Sequence, residues 1–502
     1  MRAAAFDIAR HGTTLSHEHT APRRSLTHWL ALALVAVTIV SSGFVFSEPA
    51  PVDALTIALI VLLPVVGLVV FNPMLLAYFS LWTVAGASAV LAATLSLDLG
   101  LTLTHVGVTL YLTLASVVFA GFIAKSPCAH SELILKAWTW AAVVAAATGL
   151  VGYFGLLPGA YELFTKFDRA SGTFKDPNVF GPFLVTPLIY MVHVALHRPW
   201  HRMPAPLAVA GLLMLTVLLS FSRGAWMNLA VALTIFGYLI LLTSRRAITR
   251  VKLTVLLVGG MLFTAGLLTV ALSTDTISDL LTQRSTLQME YDTGTEGRFG
   301  GQQKAIGLIA ENPLGLGALE FGERYHPEEV HNVYLSILLN AGWLGGGVYW
   351  ILVGLTAVLG FRHALKPTST QPLFLIVYAA FISNALEGVI IDSDHWRHFY
   401  LLAAMVWGMM SVRTVAQPAI EAAWKAVSPR RAWPGRVLSR PCAGNALLAS
   451  SVRWRSPDQI SAQEPQVVVE GAAWERGRLQ VAMVRRLGLE HPQPRAQRKL
   501  RL

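Results

Sequence analysis

Charged residues are scarce in this chain: Asp, Glu, Lys and Arg make up 13% of 502 residues, against 54% hydrophobic ones, and the mean hydropathy is +0.55. A water-soluble chain carries about 25% charged residues, so the deficit excludes an ordinary soluble fold and indicates a membrane protein. Two cysteines, Cys128 and Cys442, are too few for a disulfide framework. There is no phosphate-binding Walker motif, which argues against a pump driven by nucleotide hydrolysis. No internal repeat is visible, and the tail from Ala416 onward shows neither a nucleic-acid module nor a zinc signature.

What is present is a succession of apolar runs. They lie at roughly 27–46, 54–71, 74–96, 101–124, 133–157, 179–197, 204–221, 224–243, 251–272, 332–361, 371–391 and 396–415. Crossing about 30 Å of hydrocarbon at 1.5 Å per residue takes about 20 residues, and most of the runs are that long. The expected fold is all-α: a polytopic membrane protein of about 12 transmembrane helices, with a large external loop, 273–331, between helices 9 and 10. The domain division that follows is a cytoplasmic segment 1–26, a membrane domain 27–415 and a tail 416–502. The tail holds 15 Lys/Arg against 6 Asp/Glu and reads as an unstructured basic extension.

Orientation comes from the loops. Lys125 and Lys136, Arg198 and Arg202, Arg245, Arg246, Arg250 and Lys252, and Arg362 and Lys366 flank alternate loops, on the side of the basic termini. The interval 273–331 has 10 acids against 4 Lys/Arg. Both termini are therefore expected in the cytoplasm, and the large loop outside, which is periplasmic in a Gram-negative cell.

The candidate chemistry gathers at that outer side. Arg223, in Phe221-Ser222-Arg223-Gly224, is a lone arginine in a very short external hairpin. A charge near hydrocarbon costs a few kcal/mol and usually marks function, although a snorkelling side chain is the bland alternative. Gly224 would let a backbone or ligand approach closely. Arg298 sits among Gly294, Gly297, Gly300 and Gly301, ahead of a short amphipathic run ended by Asn312-Pro313. Amide N–H groups at a helix start and a guanidinium suit a phosphate. Pro327-Glu328-Glu329 looks like a helix start, which would put His331 in the first turn of the following helix. A histidine there could act as a general base.

In the second external loop, Lys175, Asp176 and Asn178 could contact a polar ligand, or Asp176-Pro177-Asn178 could simply turn the chain and cap the next helix. The last external turn offers Glu387, Asp392, Asp394, His395 and Arg397, whose acids either bind sugar or cation or pair with Arg397. No metal is expected, because His326 and His331 lack a ligand spacing.

The order of these pieces resembles the O-antigen ligase/polymerase superfamily of bacterial envelopes. The resemblance rests on Ser222-Arg223-Gly224 between two spans, the glycine-rich Arg298 loop, Glu311-Asn-Pro-Leu-Gly-Leu-Gly317, His331-Asn-Val-Tyr-Leu335, Gly342-Trp-Leu-Gly345 and Thr173-Phe-Lys-Asp-Pro-Asn-Val-Phe-Gly181. It implies an inner-membrane glycosyltransferase that moves a glycan from undecaprenyl diphosphate to an acceptor hydroxyl. Arg223 and Arg298 would hold the donor diphosphate, and His331 would activate the acceptor at the periplasmic face, without metal, nucleotide or other cofactor. The acceptor would be a glycan, a lipid A core or a protein, the last making the chain a protein O-oligosaccharyltransferase; no nucleic acid is involved. The alternative from another class is a polysaccharide flippase or transporter. That alternative predicts polar residues in mid-span, whereas here they sit at the outer face.

Overall fold

A computed structural model of the chain describes residues 25–272, 294 and 296–411. The tail 416–502, most of the segment 1–26 and residues 273–293 of the large loop lie outside the described residues. Each of the twelve apolar runs contains a helix. These are α1 (Leu26–Ser41), α2 (Pro51–Val65), α3 (Pro73–Ala93), α4 (Leu99–Lys125), α5 (Pro127–Tyr153), α7 (Pro177–His197), α8 (Pro204–Leu219), α9 (Arg223–Thr243), α10 (Ala247–Leu272), α13 (Val333–Ala364), α14 (Gln371–Glu387) and α15 (Arg397–Met410). Short α6 (Ala160–Phe164) leads into an antiparallel ribbon, β1 (Thr165–Lys166) and β2 (Arg169–Ala170). The large loop contributes α11 (Arg298–Glu311) and α12 (Glu320–Arg324).

Among the described residues, seven helices are long and apolar enough to cross a membrane: α3, α4, α5, α7, α9, α10 and α13. Helices α1, α2, α8 and α14 are apolar but shorter. The boundaries have local causes. Ser25, Asn72, Asp98, Asp176, Ser222 and Asn332 each accept an N–H from the first turn of the helix they precede. Asn312 ends α11, and its side chain donates back to the Leu308 carbonyl at 2.9 Å.

The helix that carries the central loop back into the bundle is broken. Within α13, Gly342 has φ +68° and ψ −176°, which interrupts the hydrogen-bond ladder. The loop Asn312–Gly317 fills the break. Leu316 N–H donates to the Leu339 carbonyl at 2.7 Å, and Trp343 N–H donates to the Pro313 carbonyl at 2.9 Å. Ser88 Oγ, from α3, donates to the Ala341 carbonyl at 2.7 Å. Every group named is thus paired, around the buried Leu339, Ala341 and Gly342, where an orphan would be costly. A Cβ at position 342 would meet the Pro313 oxygen at 2.6 Å and the Leu314 oxygen at 2.7 Å. Gly342→Ala should therefore destabilise the protein by about 1–3 kcal/mol, the size of a strained backbone residue. Thermal unfolding in detergent tests this against Gly347→Ala, where a Cβ meets nothing within 4 Å. Equal melting of Gly342→Ala and wild type would show that the break is not obligatory.

Candidate active site

His331 is not in a helix. Residues 326–332 run irregularly, Asn332 is the N-cap, and α13 begins at Val333, so the expected start at Pro327 is wrong. The reason is a competing cap. Asp392, from the loop between α14 and α15, accepts His331 N–H at 2.8 Å, Asn332 N–H at 3.2 Å and the Ser336 hydroxyl at 2.6 Å. This holds His331 at φ +52°, a left-handed geometry that few non-glycine residues adopt. Its ring lies between two carboxylates, with Nε2 at 3.3 Å from Glu328 Oε2 and Nδ1 at 3.7 Å from Asp392 Oδ2. The side chain is 29% exposed, open enough to meet a substrate. Burial and the neighbouring Asp394 push the Asp392 carboxyl above its usual range; burial and then Asp392 do the same to Glu329.

Both arginines begin helices that touch this segment through intermediates. Arg223, half-buried, is the first residue of α9, after Phe221 at φ +46°. The group that approaches Gly224 is Glu387: a Cβ there would lie 2.7 Å from Glu387 Oε1. Glu387 is not an exposed turn acid but fully buried at the end of α14, where it accepts from Asn228 Nδ2 at 2.6 Å. The next residue, Gly388, accepts the Val333 N–H at 2.8 Å, so the α9 start reaches the His331 segment across one helix end. Arg298 opens α11 behind Gly297. Three residues on, a Cβ at Gly301 would meet the buried His326 ring at 3.0 Å. That ring stacks on Phe321, and its Nδ1 pairs with Glu328.

The loop at 171–178 plays mostly the structural part. Asp176 caps α7 by accepting Asn178 N–H at 2.8 Å. Asn178 Oδ1 accepts from Arg169 Nη2 at 2.8 Å, and Arg169 Nε donates to the Ser220 carbonyl at 2.7 Å, bracing the turn before Arg223. Arg169, 5% exposed, is a support that no sequence motif pointed to. Arg397 is also engaged: Nε and Nη2 grip the two oxygens of Asp53 at 2.7 and 2.8 Å, the bidentate pairing that guanidinium favours.

Beside these lies a cavity of about 310 Å³ between α1, α2, α4, α5, α7 and α15. Trp138, Phe174 and Phe183 form an apolar floor, while Glu48, Lys175, Asp176 and Arg397 are among its charged lining groups. Asp392, Asp394 and His395 also line it, so the carboxylate that caps His331 is itself a wall of the cavity. Asn178 is not among the lining residues. Asp394 is drawn to the His105 ring, Oδ2 to Nε2 at 3.2 Å, and His395 packs on His105 with ring centroids 4.1 Å apart. Burial alone would raise the Asp394 carboxyl, but the two histidines hold it at about 2.

Asp392→Ala would strip the acceptor from two backbone N–H groups and the Ser336 hydroxyl together. Unpaired buried donors cost about 1–3 kcal/mol each, so Asp392→Ala should lower the melting temperature more than Ser336→Ala, which removes only one contact. Equal melting of the two variants would mean that the cap contributes little.

Residues 207–350, a stretch containing Arg223, Arg298 and His331, match the family model described as O-Antigen ligase. No curated protein matches the chain at a significant level. Residues 207–350 are thus similar to the O-antigen ligase family, in a chain that, among the described residues, has seven helices long and apolar enough to cross a membrane.

Proposed function

We propose that the chain transfers a glycan from undecaprenyl diphosphate to an acceptor hydroxyl, with His331 as general base and Arg223 and Arg298 as the clamp on the donor diphosphate. The observation that supports this most is the placing of His331. It is partly exposed, held in a left-handed backbone by Asp392, and flanked by two carboxylates. With Asp392 on the Nδ1 side, Nε2 is the nitrogen that takes the acceptor proton once the exposed Glu328 moves aside. The acceptor oxygen then attacks the anomeric carbon from the face opposite the diphosphate. The bond from that carbon to the phosphate oxygen breaks, the electron pair leaves with the diphosphate, and the anomeric configuration inverts. Charge grows on the leaving group, where guanidinium groups contribute most. The reacting groups need neither a metal nor a nucleotide. The cavity beside Asp392, with its apolar floor and charged rim, suits the acceptor.

The same reading places the chain in the inner membrane with His331 on the periplasmic face, both termini in the cytoplasm, and twelve spans. In a chain whose own cysteines are replaced by serine, Glu323→Cys should react with an impermeant maleimide in intact spheroplasts. His201→Cys, also exposed, should react only after lysis. Equal labelling of both before lysis would overturn the topology.

A transfer assay with lipid-linked glycan tests the roles. His331→Ala should slow transfer by about 10²–10⁴-fold, the usual worth of general-base help, while donor binding stays near wild type. Arg223→Ala and Arg298→Ala should weaken donor binding or turnover, and lysine at either place should restore it only in part, because lysine lacks the planar fork. Near-wild-type transfer by His331→Ala would move the base elsewhere, and full activity of Arg298→Ala would remove that arginine from the clamp.

A further inference from the structure

Glycan transfer by His331, Arg223 and Arg298 makes no use of one polar cluster, formed by His105 on α4 and the adjacent Asp394 and His395 ahead of α15. One donor atom from each lies within 4.8 Å of the others. We propose that these three side chains bind a divalent transition-metal ion, of the zinc class, at the wall of the cavity.

The first support is geometric. His105 Nε2 and Asp394 Oδ2 are 3.2 Å apart. Two ligands of one tetrahedral zinc, each at about 2.0–2.1 Å from the metal, stand about 3.3 Å apart, so the pair needs little rearrangement to share an ion.

The second support is the hydrogen bonding of His395. Thr109 lies one turn along α4 from His105, and its hydroxyl donates its proton to the His105 carbonyl at 3.2 Å. With that proton on the carbonyl, the hydroxyl accepts from His395 Nε2, 3.0 Å away. In that tautomer the His395 Nδ1 lone pair is left to ligate. A ligating histidine that donates its other N–H to a fixed oxygen is the usual arrangement around a bound metal.

The third support is charge. Asp392 and Glu329 add two more carboxylates to the field around Asp394, and that field favours a cation. Two imidazoles and one carboxylate favour zinc or a neighbouring first-row ion over calcium or magnesium, which prefer all-oxygen sites. Asp394 and His395 both line the cavity, so the fourth position opens into it and would hold water. The ion fastens the loop before α15 to α4. Asp392, two residues from Asp394, is steadied with it, without the ion entering the transfer step. The proposal does not depend on the glycan-transfer reading, because its readout is metal binding.

The test uses the full-length protein in detergent, without a polyhistidine tag and stripped with EDTA. Cobalt(II) should bind at one equivalent and develop the visible absorption of a low-symmetry site, and zinc should bleach it. His105→Ala, His395→Ala and Asp394→Asn should each weaken cobalt binding by at least about 10–100-fold, the loss already seen when outer-shell partners are removed. His201→Ala, on an exposed turn, should leave it unchanged. Zinc should raise the melting temperature of wild type but not of Asp394→Asn. Asp394→Asn keeps the side-chain volume, so it decides the matter if an alanine variant fails to fold. No cobalt absorption in wild type, or equal affinity in wild type and Asp394→Asn, would overturn the proposal.

Discussion

A buried backbone polar group left unpaired costs several kcal/mol, and the break in α13 is arranged around that constraint. Gly342 opens the helix, and the Asn312–Gly317 loop and Ser88 take up the carbonyls and the N–H that the break exposes. The consequence reaches the candidate site in both directions along the chain. Upstream of the wedge, α11 carries Arg298 at its start; downstream, Glu320 docks on the turn into α4, accepting Leu97 N–H at 2.7 Å and pairing with Arg324. The first half of α13, with Asn332 and His331 just ahead of it, is aimed by the same break.

Carboxylates do much of the remaining fastening. Asp392 holds the His331 turn, Asp176 starts α7, and Asp53 accepts Ala50 N–H while gripping Arg397. A carboxylate accepting an N–H is among the stronger hydrogen bonds, and each of these ties a loop to a helix end. The acids that crowd this end of the bundle therefore divide into those that hold the fold and those beside His331 that can serve chemistry. Glu387 belongs to the first group: it packs under Gly224 and is bonded to Asn228, which links the Arg223 helix to the end of α14.

Much of this was legible in the sequence, because apolar runs of about 20 residues leave helices as nearly the only solution in hydrocarbon. The twelve runs, the stop at Asn312 and the capping by Asp176 follow from local chemistry, and all have counterparts among the described residues. The singling out of Arg223, Arg298 and His331 was also local: a lone charge at a hairpin, a glycine-rich helix entrance, a histidine at a boundary. All three lie within the stretch 207–350.

What the sequence could not state is which distant groups meet. Local propensity puts a helix start at Pro327, yet a carboxylate some sixty residues further on captures the two N–H groups that would have joined it, and moves the start to Val333. Arg397 reads as a candidate ligand until Asp53, 344 positions away, occupies its fork. His105 is inconspicuous in an apolar run until the loop before α15 lays Asp394 and His395 against it. By itself the sequence determined the helices, their order and the residues worth suspecting, since those depend on neighbours along the chain. Only the tertiary structure decided which of the polar groups are engaged and which remain open, because that depends on partners brought together by packing.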